Sequence, residues 1–171
     1  MLYQQVKLAD VAEHFERLSQ VVADVRVKTG REPIDAMPML EAYAKRGDTA
    51  ALAWDGDQLV GVTCLGLCHH FISGPEWMPI KVHLVREGYD LGKVGCSHFV
   101  YLSPDYWGQW QTFALTEASR RSHPSVTHTL SHTLPSKEME HWAAKLPGMV
   151  DIGLPNPHGG RVFIRAVDPA A

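Results

Sequence analysis

The sequence predicts a single α/β domain, and three patterns point to this fold class. Val11 to Val25 carries apolar residues at three- and four-residue steps, which is typical of one helix face. Thr49–Trp54 and Gln58–His70 are apolar runs joined by Asp55-Gly56-Asp57, which predicts a β-hairpin. Strand-like and helix-like segments then alternate to the end. The 171 residues, 45% of them apolar, suffice for one domain over 1–171.

The other elements follow in order along the chain. A strand at Tyr3–Lys7 precedes the first helix, and a second helix spans about Ala36–Arg46, with Gly47 placed to end it. Residues 71–93 are predicted to be loop-rich with one short helix. The rest predicts strands at Gly95–Leu102, Val126–Thr133 and Arg161–Val167, and helices from about Trp107 to Arg121 and from Ser136 to Leu146.

Composition argues against several classes of protein. The net charge is −3, and the Lys and Arg residues are scattered, so no nucleic-acid partner is expected. The apolar stretch Leu59–Cys68 is far shorter than the ~20 residues that span a bilayer, and the N-terminus lacks a signal-peptide pattern. An odd number of cysteines indicates free thiols. We therefore expect a cytoplasmic protein without a membrane partner.

A strand-to-turn junction at Phe99–Gly108 is the most informative local motif. A turn that leads into a helix directs free backbone N–H groups outward, and such groups can bind a pyrophosphate. Together with the hairpin Ala50–Gly61 and the order of elements, this junction resembles the GNAT acetyltransferase superfamily. There an aliphatic strand is usually followed by Pro, an acidic residue, Tyr, Arg and Gly. Divergent sequences of this kind are also similar to acetyltransferase-like proteins encoded by bacteriophages.

The resemblance implies a GNAT-like mixed central sheet of six to seven strands flanked by about four helices. It also implies an acyl-CoA-dependent N-acyltransferase that uses acetyl-CoA and acetylates an amine of a small molecule or a protein. Strand Ser97–Tyr101 would pair with the pantetheine arm, and the amides of 107–112 would hold the pyrophosphate. The cofactor-binding residues implied are Tyr101, Trp107, Gly108, Gln109, Trp110, Gln111 and Thr112.

His98 is the titratable side chain best placed to act as the general base that deprotonates the amine. The alternative is a partly buried histidine that is hydrogen-bonded to a neighbouring strand or loop. The sequence leaves both interpretations open.

Two departures from the family pattern lead to a second hypothesis. The glycine-rich cofactor loop is replaced by Trp107–Thr112, which keeps one glycine, and no Tyr follows Tyr106 to protonate the leaving thiolate. The chain could instead be a catalytically degenerate GNAT-like domain that acts as a phage virion-associated structural or interaction protein. It would then be found in the host cytoplasm or the virion, with a second copy or virion proteins as partners.

The remaining candidates are the tryptophans and the cysteines. Trp107 and Trp110 lie three residues apart at the predicted helix start, which favours packing against the sheet; the alternative is an aromatic contact surface. Cys64 and Cys68 on an extended strand would be ~13 Å apart and could not share a metal ion. Because the histidines also form no metal-spacing motif, no metal site is predicted, and a pair of His70 with a distant histidine stays open.

Overall fold

The computed structural model describes residues 1–107, 110–132 and 147–167. Within them lie seven strands and four α-helices. The predicted helix from Ser136 lies outside the described residues. The elements in chain order are β1 (Leu2–Lys7), α1 (Phe15–Lys28), α2 (Met37–Arg46), β2 (Thr49–Asp55), β3 (Gln58–Leu67), α3 (Met78–Arg86), β4 (Val94–Leu102), α4 (Gln111–Arg120), β5 (His128–His132), β6 (Val150–Pro155) and β7 (Arg161–Ala166).

The strands form one mixed sheet in the order β1-β2-β3-β4-β5-β7-β6. β1, β2 and β3 are antiparallel neighbours, β4 and β5 are parallel, and β5, β7 and β6 are antiparallel neighbours. The predicted α/β class, with six to seven strands in a mixed sheet and about four helices, is confirmed. β3 is apolar on both faces and buried over most of its length, as expected for a central strand.

The chain divides into two compact units, and the first comprises Met1–Gly66 and Ser97–Pro124. Successive residues of a strand point to opposite faces, so the two faces of β2 have different partners. Ala50 and Leu52 pack with Phe15 and Leu18 of α1 and with Leu40 of α2. The alternate residues of β2 pack with α4 on the other face, where the buried set is Ala51, Ala53, Val60, Leu102 and Leu115.

The second unit comprises Leu67–Cys96 and Ser125–Ala171. Its core contains Ile80 and Leu84 of α3, Cys96 of β4, Leu130 of β5 and Ile164 of β7. The interpretation of 1–171 as a single domain stays a prediction. Among the residues described above, no helix is long and apolar enough to cross a membrane.

Three element boundaries can be compared with the sequence predictions. Two of them differ from the predicted positions, and in both cases the local backbone explains the difference. β3 ends at Leu67 because Cys68–His70 form a 3-10 turn. α4 begins at Gln111 instead of Trp107 because Trp110 has a left-handed backbone conformation, with φ 61°, that a right-handed helix cannot include. α2 ends as predicted, since Gly47 takes a φ of 84° that favours glycine.

Candidate functional site

The second half of β4 carries a backbone irregularity at Phe99. Its φ is 54°, which is unusual for a bulky residue and for any residue inside a strand. The Phe99 ring lies edge-on to Tyr101 at 4.9 Å and to Tyr43 of α2 at 5.6 Å. The predicted cofactor-binding residue Tyr101 therefore has its ring half-buried against the first unit's core.

His98, the predicted general base, lies one residue before this irregularity. Its Nε2 is 2.9 Å from Oδ2 of Asp48, the residue immediately before β2. The His98 side chain is 12% exposed and the Asp48 side chain 2%. Tyr43 packs edge-on to the imidazole, with ring centroids 4.6 Å apart. His98 is thus mostly buried and paired with a carboxylate, and its role as a base stays a prediction.

Asp48 also binds Arg46, whose Nε donates to Oδ1 at 2.9 Å and whose Nη2 donates to Oδ2. Burial opposes ionisation of Asp48, but the hydrogen bonds from Arg46 and His98 outweigh it, so the pKa of this carboxyl lies below its ordinary value. The site therefore contains a buried carboxylate that holds two nitrogen donors.

The turn after β4 is fixed by interactions with several elements. The Ser103 amide donates to the Val60 carbonyl at 2.9 Å. The Tyr106 hydroxyl donates to the Asp55 carboxylate at 2.7 Å, and Lys28 of α1 forms an ion pair with Asp105 at 2.8 Å. The Lys28 ammonium holds the pKa of Asp105 below its usual range. The Pro-Asp-Tyr junction identified in the sequence is thereby anchored to the hairpin and to α1.

A small cleft of about 170 Å³ lies beside this turn, within the first unit. Asp24 and Lys28 of α1, Gln58 of β3, and Ser103 and Asp105 of the turn contribute polar side chains to its lining.

The predicted packing of Trp107 and Trp110 into the core is wrong. Trp107 is 50% exposed and Trp110 73% exposed. Both residues precede α4, so neither can lie on a helix face that meets the sheet. The Trp107 indole N–H donates to the Leu102 carbonyl at 2.9 Å, and the Trp110 ring lies edge-on to Phe113 at 6.1 Å. The two indoles are thus anchored at one edge and open to solvent.

The N-terminus of α4 contains Gln111 and Thr112, two of the residues whose amides are predicted to bind an anion, and that role stays a prediction. The side chain of Trp110, the residue before the helix, does not cap this end, and the first turn of any helix has N–H groups without an intrahelical acceptor. Those groups belong here to Gln111, Thr112 and Phe113. The Gln111 side chain is turned away towards β1, where Tyr3 donates to its Oε1. Predicted site residues Gly108 and Gln109 lie outside the described residues.

Sequence reasoning missed the residues that fix His98 and the turn. Asp48 follows the helix-ending Gly47, and a carboxylate at the start of a buried strand normally needs a partner. That signal was present in the sequence, but the partner lies 50 residues away. Lys28 and Asp55, which bind the turn, gave no comparable signal.

The architecture is similar to that of solved acetyltransferases. An aminoglycoside 6'-acetyltransferase type Ii matches over 100% of both chains, with a TM-score of 0.65 and 13% identity. The aminoglycoside acetyltransferase AAC(6')-Ib, solved with coenzyme A, matches over 96% of this chain and 95% of its own, with a TM-score of 0.65 and 15% identity.

A GNAT-family acetyltransferase from Staphylococcus aureus Mu50 matches over 98% of this chain and 100% of its own, with a TM-score of 0.57 and 12% identity. No protein-family model matches the sequence, and no curated protein sequence matches it. The likeness at these identities is one of fold.

Proposed function

We propose that this protein, which has the GNAT fold, is an acyl-CoA-dependent N-acyltransferase that acetylates an amine of a small molecule or a protein. One observation carries the proposal. A turn tied to β3, α1 and the hairpin leads from β4 into the uncapped N-terminus of α4. A solvated set of amides at that position can bind the pyrophosphate of a coenzyme.

The residues present fit coenzyme A at this end of β4. The amides of Gln111, Thr112 and Phe113, which the Trp110 side chain does not cap, can receive its phosphates. β4 residues 97–101 would bind the pantetheine arm through their backbone. Acetyl-CoA, when bound, supplies the acetyl group as a thioester.

The chain's own contribution to the reaction would be position and proton transfer. Holding an amine next to an acyl donor removes much of the entropic barrier of a bimolecular step. His98 would take up the proton that the attacking amine releases. Because the chain has no Tyr beyond Tyr106, the leaving thiolate would be protonated by water.

Two further facts bear on the proposal, one on the substrate and one on the cellular compartment. AAC(6')-Ib has been solved with both coenzyme A and kanamycin, so this fold can hold a coenzyme and an amine together. We assign the reaction to the cytoplasm, the reducing compartment in which free thiols such as Cys64, Cys68 and Cys96 persist.

The test is acetyl-CoA binding measured by thermal unfolding. A ligand at 100 times its dissociation constant adds about 2.7 kcal/mol of stability, which raises the Tm of a domain this size by several degrees. No shift at millimolar acetyl-CoA contradicts the proposal. A panel of amines that includes kanamycin and ribostamycin then tests acetyl transfer by release of free coenzyme A thiol.

Thr112→Pro locates the binding site. Proline removes one amide, and the second position of a helix accepts it, as Pro38 in α2 and Pro79 in α3 already show. Thr112→Ala is the matched control because it changes the same exposed side chain and keeps the amide. We expect Thr112→Pro to abolish most of the acetyl-CoA-induced shift and Thr112→Ala to retain it. Equal acetyl-CoA-induced shifts in the two variants would show that the coenzyme does not bind at the N-terminus of α4.

The exposed indoles favour a second candidate function, a binding module in which Trp107 and Trp110 contact a protein partner or a second copy. Large exposed aromatic side chains are frequent at interface centres. Sedimentation over a range of concentrations tests self-association, which Trp107→Ala and Trp110→Ala together should weaken. A strictly monomeric protein that binds acetyl-CoA would remove the support for this alternative. Association with a virion stays a prediction.

A further inference from the structure

Asp48 and His98 form a buried pair whose hydrogen-bonding roles can be worked out from the atoms. Oδ2 of Asp48 lies 2.9 Å from Nε2 of His98, and the two side chains are 2% and 12% exposed. An ionised carboxylate accepts hydrogen bonds and donates none. In this contact the proton must therefore be on Nε2.

The carboxylate is fixed on two other sides. Arg46 donates to both of its oxygens. Gly66 packs closely against the group, since a Cβ built on this glycine would be only 2.7 Å from each carboxylate oxygen. The pair Arg46–Asp48 thus presents one oxygen to His98 in one orientation, and this favours a single tautomer of the imidazole.

We infer that Asp48 is a positioning residue that holds the His98 ring in one orientation, in the Nε2–H tautomer. The inference rests on the proposed function for its catalytic meaning. When His98 takes up the proton of the attacking amine, the imidazole becomes imidazolium. The adjacent Asp48 carboxylate then compensates the positive charge, while Arg46 keeps that carboxylate ionised and in place.

The tautomer is measurable without any substrate. Two-bond ¹H–¹⁵N correlation spectra of the full-length protein at neutral pH distinguish a protonated from an unprotonated ring nitrogen. His98→Gln identifies the His98 signals by their disappearance, and the other nine histidines serve as an internal reference. We expect Nε2 to be protonated and Nδ1 unprotonated in the wild-type protein. The opposite tautomer, or an equal mixture of the two, overturns the inference.

Two variants test the role of Asp48. Asp48→Asn keeps the shape but offers an N–H as well as an oxygen, so the requirement for a proton on Nε2 ends, and the His98 signals should shift towards the other tautomer. Gly66→Ala keeps all charges but should displace the carboxylate and weaken the same preference. A His98 spectrum that is unchanged in both folded variants contradicts the assignment.

Catalytic readouts separate this inference from the proposed function. With whichever amine of the panel is acetylated, Asp48→Asn should lower kcat at least tenfold and leave the Kd for acetyl-CoA unchanged. If the wild-type protein has the Nε2–H tautomer but binds no acetyl-CoA, the proposed function is wrong and the tautomer assignment still holds. If kcat is unchanged in Asp48→Asn, only the positioning role of Asp48 is contradicted.

Discussion

The indole N–H of Trp107 donates to the main-chain carbonyl of Leu102 at 2.9 Å, which ties an exposed ring to the last residue of β4. This hydrogen bond spans the turn 103–106, and it explains why a residue that is 50% exposed has a defined position. The family resemblance anticipates a basic residue at this place. In this chain a tryptophan stabilises the turn through its ring nitrogen.

Trp107→Phe should destabilise the protein, because it keeps an aromatic ring and removes the N–H donor. The Leu102 carbonyl then loses a partner, at a cost of about 1–2 kcal/mol. Urea unfolding measures the change in the free energy of unfolding. Trp110→Phe is the control, since its side chain is 73% exposed and a change within about 0.5 kcal/mol is expected. Equal effects of the two substitutions would show that the hydrogen bond does not stabilise the turn.

Trp110 occupies a backbone conformation that glycine adopts with less strain. With φ at 61°, Trp110→Gly should give a protein more stable than Trp110→Ala by about 1 kcal/mol, because only alanine retains the strain of a Cβ in the left-handed region. The exposed ring itself contributes little burial. Thermal unfolding of the two variants makes the comparison. An alanine variant as stable as the glycine variant would contradict the expected strain.

Because of Asp48, the free energy of unfolding should fall as the pH becomes acidic. The pKa of Asp48 in the folded protein is lower than in the unfolded chain, so the stabilisation is complete at neutral pH and is lost as pH falls through the folded pKa, below about pH 4. Asp48→Asn should cost roughly 2–4 kcal/mol at pH 7, because Arg46 and His98 lose a buried carboxylate.

The measurement is the free energy of unfolding of both proteins at pH 7 and near pH 3. The gap between wild type and Asp48→Asn should narrow on acidification. Asp57→Asn is the control, since Asp57 lies in the exposed hairpin turn. A gap that is constant with pH would mean that the Asp48 carboxyl has the same pKa in the folded and the unfolded chain, which contradicts the lowered pKa.

The three cysteines should be unreactive in the native protein. Burial raises the pKa of Cys68 to about 11 and that of Cys96 to about 12, and it also raises the pKa of Cys64. Since the thiolate is the reactive form, a disulfide reagent such as dithionitrobenzoate should modify none of them quickly at pH 8. All three should react in guanidinium chloride. Fast modification of one native thiol would contradict its burial.

Gly61 should be intolerant of a side chain. A Cβ built there would lie 2.8 Å from Leu102 Cδ1 and 2.9 Å from the Tyr101 carbonyl oxygen, so β3 and β4 would have to move apart. Gly61→Ala should cost about 1–3 kcal/mol in the free energy of unfolding. Gly92→Ala is the control, because its nearest neighbour is the exposed Asp90 carboxylate. A neutral Gly61→Ala would contradict the close approach of the strands.

Much of the candidate site could be predicted from local sequence. The hairpin Thr49–Leu67, β4 and the turn at Pro104–Tyr106 were all predicted near their observed positions. Apolar periodicity and turn residues are local signals, and they define these elements. The start of α4 was misplaced by four residues because no sequence rule gives a tryptophan a left-handed backbone conformation.

Local sequence predicts the fold class, the order of elements and the strand-turn-helix junction, because each depends on residues that are neighbours along the chain. The pairing of Asp48 with His98 across 50 residues and the exposure of Trp107 and Trp110 are visible only in the folded chain. Both results depend on which distant elements pack together. A hydrogen bond or a buried surface exists only once the strands and helices have been assembled.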